Sequence, residues 1–140
     1  MQYSKYLPFL ALILALLTAL GFSGAVQAAP SKAPAFSNYM TLDPPLVVNI
    51  ANERRAQFLQ IRAELYVETP QDAEVVTHHM PLIRDRLIMF FGGRAADEVG
   101  AVDNREVLRQ GALDTVRQAL SERAGRPGIS GLYFTSFIIQ

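Results

Sequence analysis

Two adjacent histidines, His78 and His79, are the side chains in this chain best suited to metal chemistry. Imidazole is a common metal ligand and titrates near neutrality. A helix holds one ion between residues three or four apart, because adjacent residues point about 100° away from each other. The positions that would complete such a site hold Pro81, Leu82 and Ile83, none of them a carboxylate. The pair therefore reads as a partly exposed feature near a helix break, and neither metal nor cofactor is implied. Charged clusters come next: Arg84-Asp85-Arg86, and Arg94 with Asp97 and Glu98. Exposed ion pairs on a helix surface account for them, and contacts between subunits are the sharper alternative. No serine sits in a G-x-S-x-G elbow, and no glycine-rich phosphate loop follows a strand. Cysteine is absent, which removes disulfides and thiolate metal sites. No catalytic residue can be named, and the pattern points away from an enzyme.

The elements that would carry these residues can be read from hydrophobic period and punctuation. Leu59, Ile61, Ala63, Leu65 and Val67 alternate with Gln60, Arg62, Glu64 and Glu68, which predicts a strand with one buried and one wet face. Before it, Tyr39–Leu42 and Leu46–Ile50 read as one strand interrupted by Asp43-Pro44-Pro45. Proline cannot donate to a ladder, so that strand belongs at an edge or carries a bulge. Asn49 reads as a capping or turn-forming side chain. Asn52-Glu53-Arg54-Arg55 forms a polar turn, so the two strands make a hairpin.

Thr69 then caps a helix that has Pro70 at its first position and Asp72 in its first turn. Ala73, Val76, Met80, Ile83, Leu87 and Phe90 form its apolar stripe. Pro81 falls inside the stripe and predicts a kink or split just before it. Gly92-Gly93 ends the helix, and a short turn comes next around Ala95–Val99. Asp103 and Glu106 have capping-box spacing at the start of a second helix. Leu108, Ala112, Val116 and Leu120 form its inner face, and Ala124-Gly125-Arg126-Pro127-Gly128 stops it. A final strand runs from about Ile129 to Gln140. The order β-β-α-α-β predicts an α+β domain, with helices gathered on one face of a small sheet.

With 140 residues, half of them apolar, the chain fits one ordinary domain. Thirteen basic and thirteen acidic residues are interleaved, so no electrostatic footprint for nucleic acid exists. Part of the apolar share lies at the start, where residues 7–26 carry no charge after Lys5. Two readings of residues 1–28 stay open. Val26-Gln27-Ala28 offers a small-x-small cleavage site for a secretory signal, while residues 7–26 also just reach the length of a single membrane anchor. Both readings place the remainder outside the cytoplasm. Residues 29–38 form a short linker rich in proline and alanine, which favour extended backbone.

The chain closes on Gly131-Leu132-Tyr133-Phe134-Thr135-Ser136-Phe137-Ile138-Ile139-Gln140, almost all β-branched or aromatic. In a regular strand Tyr133 and Phe137 alternate with Phe134, making both faces apolar. Either helices cover both faces or one side meets another chain, so Tyr133, Phe134 and Phe137 form a possible association surface. The segment LYFTSFIIQ resembles the closing signature of the flagellar basal-body-associated FliL family. YMTLDPPLVVNI (Tyr39–Ile50) resembles the family's opening strand. FLQIRAELYVE (Phe58–Glu68) and PLIRDRLIMFFGG (Pro81–Gly93) fall between them in the family's order. The resemblance covers residues 39–140.

It implies a stomatin-like (SPFH-like) periplasmic domain on a single-pass inner-membrane anchor. It further implies rings around the flagellar stator that support stator engagement and torque, with the stator, the basal body and further copies of the chain as partners. The short linker and the signal-like start depart from the family pattern and fit a soluble periplasmic relative. From a different class, the alternative is a soluble periplasmic module binding an unknown ligand.

Overall fold

The computed structural model describes residues 36–140. The expectations for residues 1–28, and for most of the linker, concern positions outside the described residues. Strand β3 (Gln57–Tyr66) is the centre of the sheet. Its alternation is the expected one: Leu59, Ile61, Ala63 and Leu65 are buried, with Val67 just beyond the strand. β1 (Tyr39–Thr41) and β2 (Leu46–Ile50) both pair antiparallel with β3. β4 (Gly131–Ile139) also pairs antiparallel with β3, along Leu59–Tyr66.

A strand has only two edges, so β1 and β2 must share the one that β4 leaves free. They lie end to end as a single broken edge strand. At the break, the Leu42 N–H still donates to the Ala63 carbonyl at 2.9 Å. The interruption is Asp43-Pro44-Pro45, with a cis Asp43–Pro44 bond, as the proline pattern predicts. The hairpin is also present, closing with Ile50 opposite Gln57. Its turn is organised by Asn52, whose Oδ1 accepts from the Arg54 N–H at 2.9 Å and the Arg55 N–H at 3.4 Å. Asn49, expected to cap or turn, is instead an exposed strand residue.

The helices are α1 (Pro70–His78), α2 (Met80–Phe91), α3 (Ala96–Gly100) and α4 (Arg105–Ala124), with a 3-10 turn (Val102–Asn104) before the last. Thr69 caps α1 as expected: its hydroxyl accepts from the Asp72 N–H at 3.1 Å and donates to Asp72 Oδ2 at 2.6 Å. The split predicted by Pro81 falls at His79, which joins α1 to α2. Pro81 thus lies in the first turn of α2, where its missing N–H leaves no helical bond unmade.

The apolar stripe keeps its phase across the break. Val76, Ile83, Leu87 and Phe91 are buried, and Met80 and Phe90 pack against the core half-buried. Phe90 turns towards α4 and lies against Gly111, where an added Cβ would stand 2.8 Å from the ring's Cζ. The expected inner face of α4 holds, with Leu108, Ala112, Val116 and Leu120 all buried. The capping box does not form. Asn104 begins α4 without a side-chain cap bond, and Glu106 pairs with Arg109 instead. Gly125 ends the helix in the left-handed region (φ 72°) that glycine adopts without strain.

The result is a small α+β domain. Helices cover one face of an antiparallel sheet, and the last strand returns antiparallel to the centre.

Candidate association surface

The register of β4 decides which side chains it presents. From Gly131 to Phe134 it pairs regularly with β3, Leu132 opposite Leu65 and Phe134 opposite Ala63. Ser136 then stands opposite Arg62 and Phe137 opposite Ile61, so Thr135 is an extra residue and the strand bulges there. A single extra residue exchanges the faces of everything beyond it. Phe137 and Ile139 therefore join Leu132 and Phe134 on the helix side. Both phenylalanines stack on Phe91, each with ring centroids 5.9 Å away. The bulge corrects the expected partition: Phe137 shares the face of Phe134 rather than that of Tyr133, while Ile138 joins Tyr133 outside, so β4 is apolar on both faces. Of Tyr133, Phe134 and Phe137, only Tyr133 looks away from the helices.

Among the described residues no helix covers the outer sheet face, which carries Tyr39, Val47, Phe58, Tyr133 and Ile138, each 43–59% exposed. At one end Tyr39 meets Tyr66 edge-on at 5.0 Å and approaches Tyr133 at 6.2 Å. The Tyr133 ring folds back over Gly131, where a Cβ would lie 2.9 Å from its Cε2. At the other end stand Val47, Phe58 and Ile138. Between them runs a polar band in which Thr41 donates to Glu64 at 3.0 Å. Ordinary one-sided sheets keep this face polar. Val47 and Phe58 interrupt the polar rows of their own strands, and that is the signal the sequence carries. Ile138 cannot be assigned without the bulge.

Beside β4, the Arg109 Nη1 donates to the Leu132 carbonyl at 3.1 Å, and its guanidinium lies 5.8 Å from the centre of the Tyr133 ring. Arg109 also pairs with Glu106. The hydrogen bond from Arg109 holds the Glu106 carboxyl below the usual glutamate range and raises the arginine in turn. Arg105 stacks over Phe137 at 4.0 Å. Neither arginine stands out in the sequence, because their partners lie on a strand some thirty residues downstream.

The histidine pair and the charge clusters lie elsewhere. His78 and His79 meet edge to face at 4.8 Å by the helix break. Among the described residues no group of three or more His, Cys, Asp or Glu side chains could hold a metal ion. Arg94 pairs with Glu98 at 2.5 Å and lies over Phe90 at 4.3 Å, while Arg84 donates to the Pro44 carbonyl at 2.6 Å. A cleft of about 280 Å³ is lined by Glu68, Asp72, Arg117 and Arg126. Its central charges are already joined, Arg126 to Asp72 at 2.9 Å. Among the described residues no helix is long and apolar enough to cross a membrane.

By fold this is a small α+β domain with an antiparallel sheet helix-covered on one side, and its most distinctive surface is an open aromatic and aliphatic face. The chain belongs to the FliL family: the model of the flagellar basal body-associated protein FliL matches residues 39–140. A flagellar protein FliL from Aquifex aeolicus (strain VF5) is 33% identical over 113 residues, spanning 80% of this chain and 68% of that protein. The family is one of flagellar accessory proteins associated with the basal body.

Proposed function

We propose that the protein is a non-enzymatic accessory of the bacterial flagellar motor that self-associates in the periplasm and supports stator engagement and torque. Family membership across residues 39–140 supports a place at the basal body. The observation that carries self-association is the uncovered sheet face: Tyr39, Val47, Phe58, Tyr133 and Ile138 all meet water on one side of a single sheet. Exposed apolar clusters, here one at each end of the face, suit contact with another surface. In this reading Tyr133 belongs to the contact between copies, Phe134 and Phe137 support the strand from behind, and the subunits form a stomatin-like ring. The apolar segment at residues 7–26 acts as a single-pass inner-membrane anchor or as a cleaved export signal. Either role delivers the domain to the periplasm.

The test is swimming in soft agar and under viscous load, in a strain lacking the protein and rescued by the full-length gene. Rescue by the native gene and failure of a folded Tyr133→Asp/Ile138→Asp variant are expected. Unchanged swimming of the deletion strain under load would end the motor reading. A soluble ligand-binding module is the second reading, with the Arg117–Arg126 cleft as its site; a metabolite panel that leaves the melting temperature unmoved would remove it.

A further inference from the structure

The two edges of the sheet are treated differently. Along β2, the Asn49 carbonyl accepts from the Gly93 N–H at 3.0 Å. Ala51 is bonded on both sides, its N–H to Arg94 at 2.8 Å and its carbonyl to Ala96 at 2.9 Å. Pro44 and Pro45 interrupt this edge, and Arg84 takes the Pro44 carbonyl. These are the usual devices by which proteins close an edge against further pairing. β4 has fewer of them: it contains no proline and no charge, and along it only the bulge at Thr135 and the Arg109 bond to the Leu132 carbonyl act in this way.

The backbone direction along β4 can be fixed from one bonded pair. Phe58 and Gln140 exchange both backbone hydrogen bonds, at 2.8 and 2.9 Å. Every second residue of β3 from Phe58 therefore turns to β4, and the partners Ile138, Ser136, Tyr133 and Gly131 turn back towards β3. Leu132, Phe134, Phe137 and Ile139 consequently aim their N–H and C=O groups outward. Among the described residues only the Leu132 carbonyl meets a partner there, the Arg109 side chain. The outward groups of Phe134, Phe137 and Ile139 have none among those residues.

The wall beside this open edge is positive. Arg105 is the first residue of α4, so its charge stands at the positive end of the helix dipole, where an anion is favoured. It forms no ion pair among the described residues, and its Nε is buried without a hydrogen-bond partner. Arg109 already has Glu106, which leaves Arg105 as the cation of this wall without a counter-charge. A second copy of this chain would suit the place poorly. Antiparallel pairing of two β4 strands would bring no acidic side chain from the strand, since β4 carries no charge, and would leave Arg105 of each copy without a strand-borne counter-charge.

We propose that the free edge of β4 accepts an extended segment of another protein as an additional strand, with an acidic side chain of that segment paired to Arg105. The main-chain ladder supplies the affinity, and the arginine selects the charge. This contact is independent of self-association through the outer face.

The experiment uses the full-length protein in mild detergent and synthetic strand-forming peptides of about ten residues, a typical strand length with margin. The peptides alternate threonine and valine and carry glutamate, glutamine or lysine at one inner position; a further version has proline at its centre. Binding is read by fluorescence anisotropy, and the edge itself by amide hydrogen exchange at Phe134, Phe137 and Ile139. The glutamate peptide is expected to bind about tenfold tighter than the lysine peptide, as expected for converting one attractive pair to a repulsive one. It should also slow exchange at those amides, weaken at high salt, and lose to the lysine peptide in Arg105→Glu. Arg105→Gln, checked by an unchanged melting temperature, should abolish the charge preference while keeping the ladder. Equal binding of acidic and basic peptides would overturn the proposal, as would full binding by the proline version. Amides already protected in a protein that runs as an oligomer would equally overturn it, by showing that a second copy fills the edge.

Discussion

Removing Thr135 should do almost nothing to stability, whereas removing Tyr133, two residues earlier in the same strand, should cost several kcal/mol. In the bulged register Thr135 and Ser136 together oppose Arg62. Without Thr135, Phe134 stays opposite Ala63, Ser136 takes the place opposite Arg62, and Phe137 stays opposite Ile61. Each side chain keeps its face, and an exposed threonine leaves. The expected change is within about 1 kcal/mol, because an unpaired extra residue is exchanged for a regular ladder.

Deleting Tyr133 has no such solution. Either the bulge persists and Leu132, fully buried here, turns to solvent, or the bulge closes and Phe134 leaves its stack on Phe91. Transfer of one such side chain costs about 1.5–3 kcal/mol, and the space left behind raises the total to about 2–5 kcal/mol. That is a large fraction of the stability of a small domain. Urea denaturation of the two deletion variants beside the native protein measures both numbers. A loss of several kcal/mol for the Thr135 deletion would refute the reasoning, since in an unbulged strand that deletion flips everything beyond it.

Further expectations concern the helix layer and the ion pairs. Gly111→Ala should destabilise by about 1 kcal/mol, an overpacking of about 2 against Phe90 being partly offset by about 1 of helix propensity; a stabilised variant in thermal denaturation would show that the ring yields freely. Asp72→Ala should cost about 1–2 kcal/mol, since it removes a largely buried carboxylate that bonds Thr69 and Arg126. Arg126→Ala, at the more exposed end of the pair, should cost less than about 1 kcal/mol, and urea curves in which the arginine matters more would reverse the assignment. The Glu106 carboxyl is lowered by its bond from Arg109, so that contact is intact above the ordinary glutamate range and fades only as pH falls through the depressed folded value. A carboxylate NMR titration should place its midpoint below that of a free glutamate, and Arg109→Gln should move it up; a midpoint that stays put in the variant would mean Arg109 is not the cause.

Much of this molecule is legible without coordinates because its signals are local. The alternation from Leu59 to Val67 needs only the two-residue period of a strand, and Thr69-Pro70 marks a helix start through the cap and the imide ring. The Pro44-Pro45 interruption reflects a missing donor. The family resemblance rests on segments of this kind in order, and it agrees with the family match to residues 39–140. The misread positions are those where one particular side-chain contact outweighs the general rule. Phe90 stays only half-buried because its ring lies against Gly111 of α4, some twenty residues downstream. Glu106 leaves the expected capping box for Arg109, a neighbour on the same helix face, while Asn104 takes the cap position without a side-chain bond.

The candidate surface belongs to that second group. The strands, the helices, their order and the apolar character of the last ten residues are all written in the amino-acid order, since each depends on neighbours a few positions apart. Three features come from the folded chain alone: Thr135 is the extra residue, Phe137 therefore turns inward and Ile138 outward, and Arg105 forms no ion pair among the described residues. A bulge is set by the register between β3 and β4, and that register is fixed by packing across some seventy residues of intervening chain. The two-residue period carries no mark of where such a slip occurs, so the faces of β4 can be assigned only once its partner strand is in place.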